Sequence, residues 1–210
     1  MKNEETLYCY TMTHDTGFAP NPYHGVLTLA TCKPMIRKYA KKGYWISGWT
    51  GNAVYNKQGE IDKKGAGRLI YLAQVSKVIS FKEYWENYPQ KKQPTKSIEG
   101  GKECFKSCGN VLITKSDDIS FCGDNIYEPC NNGFEQHKNP HHDKQNIERD
   151  LSGENVLICE EFYYFGVENA KDIKGITRIP RWKKYVSEKA SEIIQQVTTK
   201  FKPGLYPQAL

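Results

Sequence analysis

The sequence predicts an α+β fold in which a mixed, mainly antiparallel sheet, or a small β-barrel, carries a few short helices. Short apolar segments with strand-like composition recur along the chain, and residues 68–78 form the most continuous of them. Helical spacing of apolar residues is confined to a few segments. With 210 residues, of which 38% are hydrophobic, the chain can bury one sizeable core. We therefore expect a single domain over residues 1–210, with its core within residues 7–166.

The first half of the chain predicts strands, with helices at two points. Residues 7–13, 25–31, 44–49 and 68–78 predict strands, the last a central one, and residues 50–67 predict a long hairpin loop. A helix is expected from Pro34, which suits a first helical turn, to a stop at Gly43. Ser80 and Glu83 have the spacing of a capping box and predict a second helix that ends before Pro89.

The second half contains a long polar segment, followed by further predicted strands and a helix. Residues 128–154 show no periodicity, and so long a loop is usually functional or disordered. Residues 155–159 and 162–166 predict a strand pair or one bent strand. Apolar residues at helical spacing predict a C-terminal helix over residues 182–201.

The charge is modestly basic, with 30 Lys and Arg against 24 Asp and Glu. Five basic residues and no acid lie in residues 33–42, and residues 90–106 are similarly basic. Such clusters attract phosphates if they face one groove, and otherwise form a soluble surface. No segment has the apolar length of a membrane span, so the protein is expected to be cytoplasmic.

The leading candidate site is the polar loop of residues 13–22. It places His14, Asp15 and Asn21 within a few residues, where two prolines and a glycine disfavour helix and central strand. Loops at sheet ends commonly present binding groups, although such residues can also cap neighbouring backbone groups. Two further polar loops, residues 123–127 and 136–143, are candidates to join it in one site.

Metal and nucleophile patterns are weaker. Seven cysteines favour reduced thiols, metal ligands or small buried hydrophobes. Zinc could be held by Cys104, Cys108, Cys122 and Cys130, or by Cys122 and Cys130 with His137 and His141, but neither spacing is that of a structural zinc site. No Ser or Cys stands in the sequence pattern of a nucleophile elbow, and the glycines form no phosphate-binding loop. Zinc is thus a possible cofactor, and no metal ligand is assigned.

Tryptophans offer a possible stacking surface. Trp45 and Trp49 lie on one predicted strand at an even separation and share a face, and Trp85 follows the next strand. A base could stack there, although large rings more commonly fill a core.

Four motifs, in this order, resemble the nucleotide modification associated domain 2 family: residues 14–22, residues 28–37 with Cys32, Lys33 and Arg37, residues 123–127, and residues 156–166. The family occurs in phages and bacteria, and the resemblance implies an association with DNA base modification. It singles out the polar residues His14, Asp15, Asn21, Cys32, Lys33, Arg37, Asp124, Asn125, Gln136 and His142. Where the family pattern has Gly-Asp-Trp, this chain has Gly43-Tyr44-Trp45, so an acid is absent there. The strand pattern around Trp45 and residues 69–75 is also similar to PUA-like and EVE-like barrels, at the level of fold alone.

Three functions follow as hypotheses. A binding module would hold a nucleotide or a modified DNA base with Asn21, Lys33, Arg37, Trp45, Asn125 and Gln136. A base-modifying enzyme would use His14 and Asp15 as an acid/base pair, with Asp124 and His142 polarising the substrate or holding a metal. A structural subunit of a phage or defence modification assembly would use the same motifs to maintain its fold.

Overall fold

The computed structural model describes residues 4–92, 102–104, 111–113 and 123–206, the two short central stretches as backbone alone. Its strands, in chain order, are β1 (Thr6–His14), β2 (Leu27–Leu29), β3 (Trp45–Tyr55), β4 (Ile61–Asp62), β5 (Arg68–Gln74), β6 (Lys77–Ser80), β7 (Lys102–Cys104), β8 (Val111–Ile113), β9 (Tyr127–Cys130), β10 (Gly133–Gln136), β11 (Asn155–Cys159), β12 (Glu161–Tyr164), β13 (Lys171–Asp172), β14 (Trp182–Val186) and β15 (Gly204–Leu205). Its α-helices are α1 (Pro34–Tyr39), α2 (Phe81–Asn87), α3 (Ile147–Leu151) and α4 (Ser187–Thr198).

One large mixed sheet organises these elements. Its strand order is β14-β1-β3-β5-β12-β15, with β4 added to β3 and β13 added to β5. The pairs β1–β3 and β12–β15 are parallel, and the other pairs of this sheet are antiparallel. The strands β2, β11 and β6 form a smaller antiparallel sheet. The predicted mixed, mainly antiparallel α+β fold is confirmed, and the described strands form open sheets rather than a closed barrel.

The core lies on both faces of the large sheet. On one face, α4 packs its buried side chains, Ala190, Ile193, Ile194 and Val197, against Leu7, Cys9, Trp45 and Trp49. On the other face lie Tyr8, Tyr10 and Met12 of β1, because successive residues of a strand point to opposite sides. A third apolar cluster packs α2 against β11 and β9. The apolar periodicity that predicted the helical face of residues 190–197 is therefore confirmed.

Several predicted boundaries are wrong, for identifiable reasons. Residues 182–186 form strand β14, not the start of the C-terminal helix, because β1 supplies backbone partners from Tyr10 to Thr6. The expected loop of residues 50–67 contains the end of β3 and the strand β4, since Val54 and Tyr55 pair with Asp62 and Ile61. Residues 68–78 divide between β5 and β6, which belong to different sheets. The strands β11 and β12 likewise belong to different sheets and do not form a pair.

The predicted capping box is present. The Ser80 hydroxyl accepts a hydrogen bond from the Glu83 backbone N–H, and the Glu83 carboxylate accepts one from the Ser80 backbone N–H. The polar segment of residues 128–154 is structured as the β9–β10 hairpin, a 3-10 turn at Lys144–Asn146 and α3. Among the described residues, no helix is long and apolar enough to span a membrane.

We predict that Gly48→Ala lowers the free energy of unfolding by about 1–3 kcal/mol, the usual cost of overpacking a core. A Cβ at Gly48 would lie 2.3 Å from Met12 Sδ and 2.5 Å from Tyr71 Cε1. Gly51→Ala in the same strand is the control, because its Cβ would come no closer than 3.1 Å, to Thr11 Cγ2. Urea unfolding of both variants measures the difference, and equal losses would contradict the packing account.

Candidate functional site

A cleft of about 680 Å³ opens where β1 ends. Its walls come from three segments: side chains of β1 and of the loop after it, from Tyr10 to Ala19 but without Asp15, the turn at Cys32 and Lys33 that precedes α1, and side chains within residues 136–146. The ring of Phe18 lies 4.6 Å from that of His141 and 5.1 Å from that of His142, so the first and third predicted loops are in direct contact. Of the polar residues singled out in the sequence, this cleft collects His14, Cys32, Lys33, Gln136 and His142.

Three side chains beside the cleft are connected by hydrogen bonds, and Cys32 and His142 line it. The Cys32 Sγ atom lies 3.4 Å from His142 Nε2, and His142 Nδ1 lies 2.5 Å from Asp150 Oδ2. The Asp150 carboxylate is fully buried, and the His142 side chain is only 8% exposed. A carboxylate on one imidazole nitrogen and a thiol on the other is the arrangement that activates a cysteine nucleophile.

The backbone around Cys32 presents its side chain on a tight turn between β2 and α1. Cys32 and Lys33 have φ angles of 57° and 40°, in the left-handed region that non-glycine residues rarely adopt. The Cys32 backbone N–H donates to Asp150 Oδ1 at 2.9 Å. Left-handed residues that are held in place by surrounding contacts are characteristic of functional sites.

The Arg37 side chain ties this turn to α3 and β11. Its guanidinium is fully buried and donates to the carbonyls of Cys32 and Asn155, both at 2.8 Å, and to the carbonyl of Asp150. Gly153 lies directly against it, since a Cβ there would be 2.5 Å from Arg37 Cζ. Arg37 was predicted to bind a nucleotide, and in this structure it holds both ends of the Cys32–Asp150 contact.

Charge in the site is uneven. Burial lowers the pKa of His142, but hydrogen bonds with Asp150 and Cys32 outweigh it and raise the pKa to about 9. The Asp150 carboxylate is also desolvated, yet its bond from His142 holds its pKa below the usual value. Burial lowers the pKa of His141 to about 4, and burial also lowers the pKa of His14. At neutral pH the cleft therefore holds one imidazolium, His142, beside two neutral imidazoles.

The cleft is lined by cations. Lys33, Lys138 and Lys144 face it, with Asp143 as the carboxylate among its lining residues. The Asp143 Oδ1 atom accepts from Gln145 N–H and Asn146 Nδ2, so it caps the following 3-10 turn. The Lys33 ammonium lies 4.4 Å above the Tyr10 ring and donates to the Thr11 carbonyl at 3.3 Å. This distribution suits an anionic ligand.

Other predicted site residues lie in the interior. Asp15 is fully buried, and its carboxylate accepts from the Tyr164 hydroxyl and from Val167 N–H at 2.6 Å. Asp124 is also fully buried and accepts from Tyr84 at 2.5 Å and Thr28 at 2.8 Å. Burial raises the pKa of both carboxylates. Neither is among the residues that line the cleft.

Asn21, Asn125 and Trp45 are likewise inside. The buried Lys91 ammonium donates to Asn21 Oδ1 at 2.8 Å and to the Val26 carbonyl at 2.7 Å. Asn125 Nδ2 donates to the carbonyls of Tyr84 and Tyr88, at the C-terminal end of α2. Trp45 packs beneath α4 and is 4% exposed, which core packing accounts for. Asn21 and Asn125 thus hold backbone segments in place, and Trp45 is part of the core.

Metal ligands are found together at one place in the described part of the chain. Cys32, His142 and Asp150 each offer a ligand atom, all within 4.8 Å of one another, and thiolate, imidazole and carboxylate suit zinc. Against such a role, Asp150 already accepts hydrogen bonds on both oxygens, from Cys32 N–H and from Tyr127 and His142. Of the zinc sets predicted from sequence, the side chains of Cys104, Cys108 and Cys122 lie outside the described residues, and Cys130 is exposed.

Two features of this site were missed in the sequence. Asp150 lies in α3, inside the segment with no period, and nothing in its spacing links it to Cys32, 118 residues earlier. No pattern was assigned to the turn at Cys32, although it follows a strand and precedes Pro34 at the start of a helix. That strand–turn–helix order was the available signal.

Comparison with known proteins gives one match. Residues 4–206 match the family model for nucleotide modification associated domain 2. Searches of curated proteins and of solved structures gave no significant match. The match to the family model covers nearly the whole chain.

We predict that His142 contributes stability that falls as the pH rises. Its pKa is raised from 6.5 to about 9, so the contribution is full below pH 6.5 and is lost as the pH passes through 9. The shift corresponds to roughly 3 kcal/mol at its full extent. Urea unfolding of wild type and His142→Gln between pH 6 and 9.5 checks this, and the gap between them should shrink towards high pH. A gap independent of pH would show that His142 is not held protonated.

Proposed function

The chain belongs to the nucleotide modification associated domain 2 family, and we propose that it is a cysteine-dependent enzyme acting on a nucleotide-type substrate. In this proposal Cys32 is the nucleophile, His142 exchanges the proton, and Asp150 orients His142. The family gives the association with nucleotide modification, and the side chains give the chemistry. Acyl transfer or hydrolysis at a carbonyl-type carbon of the substrate is the reaction class that this set suits best.

The observation that carries the proposal is the chain Cys32–His142–Asp150 at a cleft wall. His142 has its two nitrogens engaged by different groups, at 3.4 Å to sulfur and 2.5 Å to the carboxylate. Asp150 therefore sets which nitrogen faces the thiol, and it balances the imidazolium charge. Cys32 and His142 both line the cleft, where a substrate can reach the thiol.

The steps follow from this geometry. In the proposed reactive form Cys32 is a thiolate paired with the His142 imidazolium, and Sγ forms a bond to the electrophilic carbon. The imidazolium then protonates the leaving group as its bond to that carbon breaks. Water or an acceptor nucleophile next gives its proton to His142 and displaces Sγ, which restores the thiolate beside the imidazolium. Each proton lost by one partner is taken up by the other, so no oxidant is required.

Substrate binding is assigned to the cationic side of the cleft. Lys33 stands next to the nucleophile in sequence and lines the cleft with Lys138 and Lys144, where they can neutralise a phosphate. Gln136 offers an amide to a base edge, and His14 stacks on Tyr55 with its rings 5.1 Å apart. His14 Nδ1 lies 3.1 Å from the Thr13 hydroxyl, which leaves Nε2 for the base.

A metal-dependent role is the second candidate. The observation that favours it is that Cys32, His142 and Asp150 could hold one ion. A bound zinc would activate water, and the thiol would then serve as a ligand instead of the nucleophile. The sequence-derived alternatives, a binding module and a structural subunit of a phage or defence modification assembly, would leave Cys32 without a reaction. The reactivity of Cys32 therefore separates the nucleophile role from these others.

We predict that iodoacetamide alkylates Cys32 at least about tenfold faster than Cys130 at pH 7, because the positive charge of the His142 imidazolium beside Sγ favours the thiolate. Cys130 is exposed and serves as a reference thiol inside the same molecule. Peptide mass spectrometry of timed samples measures both rates. His142→Ala should remove most of the excess at Cys32 and leave Cys130 unchanged.

Two results would contradict the nucleophile assignment. Alkylation of Cys32 no faster than that of Cys130, in a folded protein, would show that the thiol is not activated. Zinc in the purified protein, together with alkylation that accelerates after chelation, would establish the metal site in its place. Elemental analysis of the same preparation provides this second readout.

A further inference from the structure

The edge strand β14 and the turn before it form a basic surface next to the cleft. Arg178, Arg181, Lys183 and Lys184 are all exposed, and residues 173–187 contain no Asp or Glu. Of these cations, Lys183 pairs with Cys9 and points to the α4 face of the sheet. In the sheet order β14-β1-β3-β5-β12-β15, β14 has β1 on one side and no described strand on the other. We define this surface, residues 178–184, as the edge track.

An exposed indole lies in the middle of the edge track. Trp182 is 60% exposed, which is unusual for the largest apolar side chain. The other tryptophans differ: Trp45 and Trp49 are buried, and Trp85 is only half-buried, with the Lys92 ammonium 3.6 Å from its ring. An exposed aromatic ring between cations is the combination with which proteins bind unpaired bases and their phosphates.

Strand register places this ring on the cleft face of the sheet. Trp182 pairs with Tyr10 across β14 and β1, and directly opposed residues point to the same side. Tyr10 lines the cleft, and the Lys33 ammonium lies over its ring. Lys184, two residues further along, pairs with Tyr8 and lies 5.7 Å from that ring. The indole is therefore the direct cross-strand neighbour of a residue that lines the cleft.

Charge continues from the track to the nucleophile. Lys33 has its pKa lowered by burial and, in addition, by the nearby positive charges of Arg181 and Arg149. The Arg181 carbonyl accepts from Thr11 N–H at 3.4 Å, and Thr11 is also the residue whose carbonyl Lys33 binds. Cations that already repel one another are stabilised by an anion that spans them.

We propose that the edge track binds a single-stranded polynucleotide, with a base stacked on Trp182 while a neighbouring nucleotide of the same strand enters the Cys32 cleft. The inference rests on the proposed function for the occupant of the cleft. An unpaired strand is favoured because a duplex covers the base faces that an indole would stack on. Pairing of β14 with a second copy is disfavoured, since it would bring two sets of the same four cations together.

The test is fluorescence anisotropy with a labelled 12-nucleotide single-stranded DNA. We expect Trp182→Ala to weaken binding by about tenfold or more, as for other base–aromatic stacking contacts. Trp182→Phe should lie between it and wild type. Lys184→Ala should weaken binding severalfold and reduce the dependence of affinity on salt. The matched control is Lys174→Ala, since Lys174 is exposed and its backbone carbonyl and N–H bond to Gln196 on α4, the other face of the sheet.

The outcomes separate this inference from the proposed function. Cys32→Ala should keep the oligonucleotide affinity. If Cys32 proves unreactive but binding still depends on Trp182, the nucleophile assignment is refuted and the edge track stands. A nucleoside monophosphate that binds as tightly as the 12-mer would overturn the track, and so would tighter binding of the matched duplex. Equal affinities of wild type and Trp182→Ala would overturn it as well. A dimer, seen by sedimentation in wild type and lost in Trp182→Ala, would assign the surface to self-association instead.

Discussion

The candidate site depends on one buried cation, the guanidinium of Arg37. It binds the carbonyls of Cys32, Asp150 and Asn155, which belong to the turn before α1, to α3 and to β11. Burying a guanidinium costs free energy unless its donors are satisfied and its charge is balanced. Here burial lowers the pKa of Arg37 to about 10, and the nearby charge of Asp150 acts in the opposite direction. The same carboxylate thus compensates Arg37 and orients His142.

That double role explains why the turn at Cys32 can hold two left-handed residues. Each such residue costs of the order of 1 kcal/mol, which the surrounding contacts must offset. The Cys32 carbonyl is held by Arg37, and its N–H is held by Asp150 Oδ1. Both backbone polar groups of Cys32 are therefore fixed by side chains that are fully buried. The thiol is left as the group of Cys32 that faces the cleft.

The fold class, the capping box and the apolar face of α4 were all predictable, because each follows from local pattern. The predicted contact between the polar loops was partly correct, since His14 and His142 share a cleft. Carboxylates in loops were expected at the same surface, but Asp15 and Asp124 lie in the interior. Sequence pattern does not distinguish a carboxylate that faces a ligand from one that accepts bonds from buried donors such as Tyr164 and Tyr84. The partners that decide this are 149 and 40 residues away.

The error at residues 182–186 is physically informative. Tyr185 and Val186 fit the helical apolar pattern of residues 190–197, yet β1 has unpaired backbone groups on that side, and β14 satisfies them. Edge strands commonly carry lysine, which discourages pairing with another chain. Lysine alone would achieve that, so the exposed Trp182 has no explanation in protection of the edge. Leaving a large apolar ring in solvent costs free energy that the fold does not recover. Because Trp182 lies opposite Tyr10, which lines the cleft, a role beside the cleft accounts for its exposure better than a role in folding.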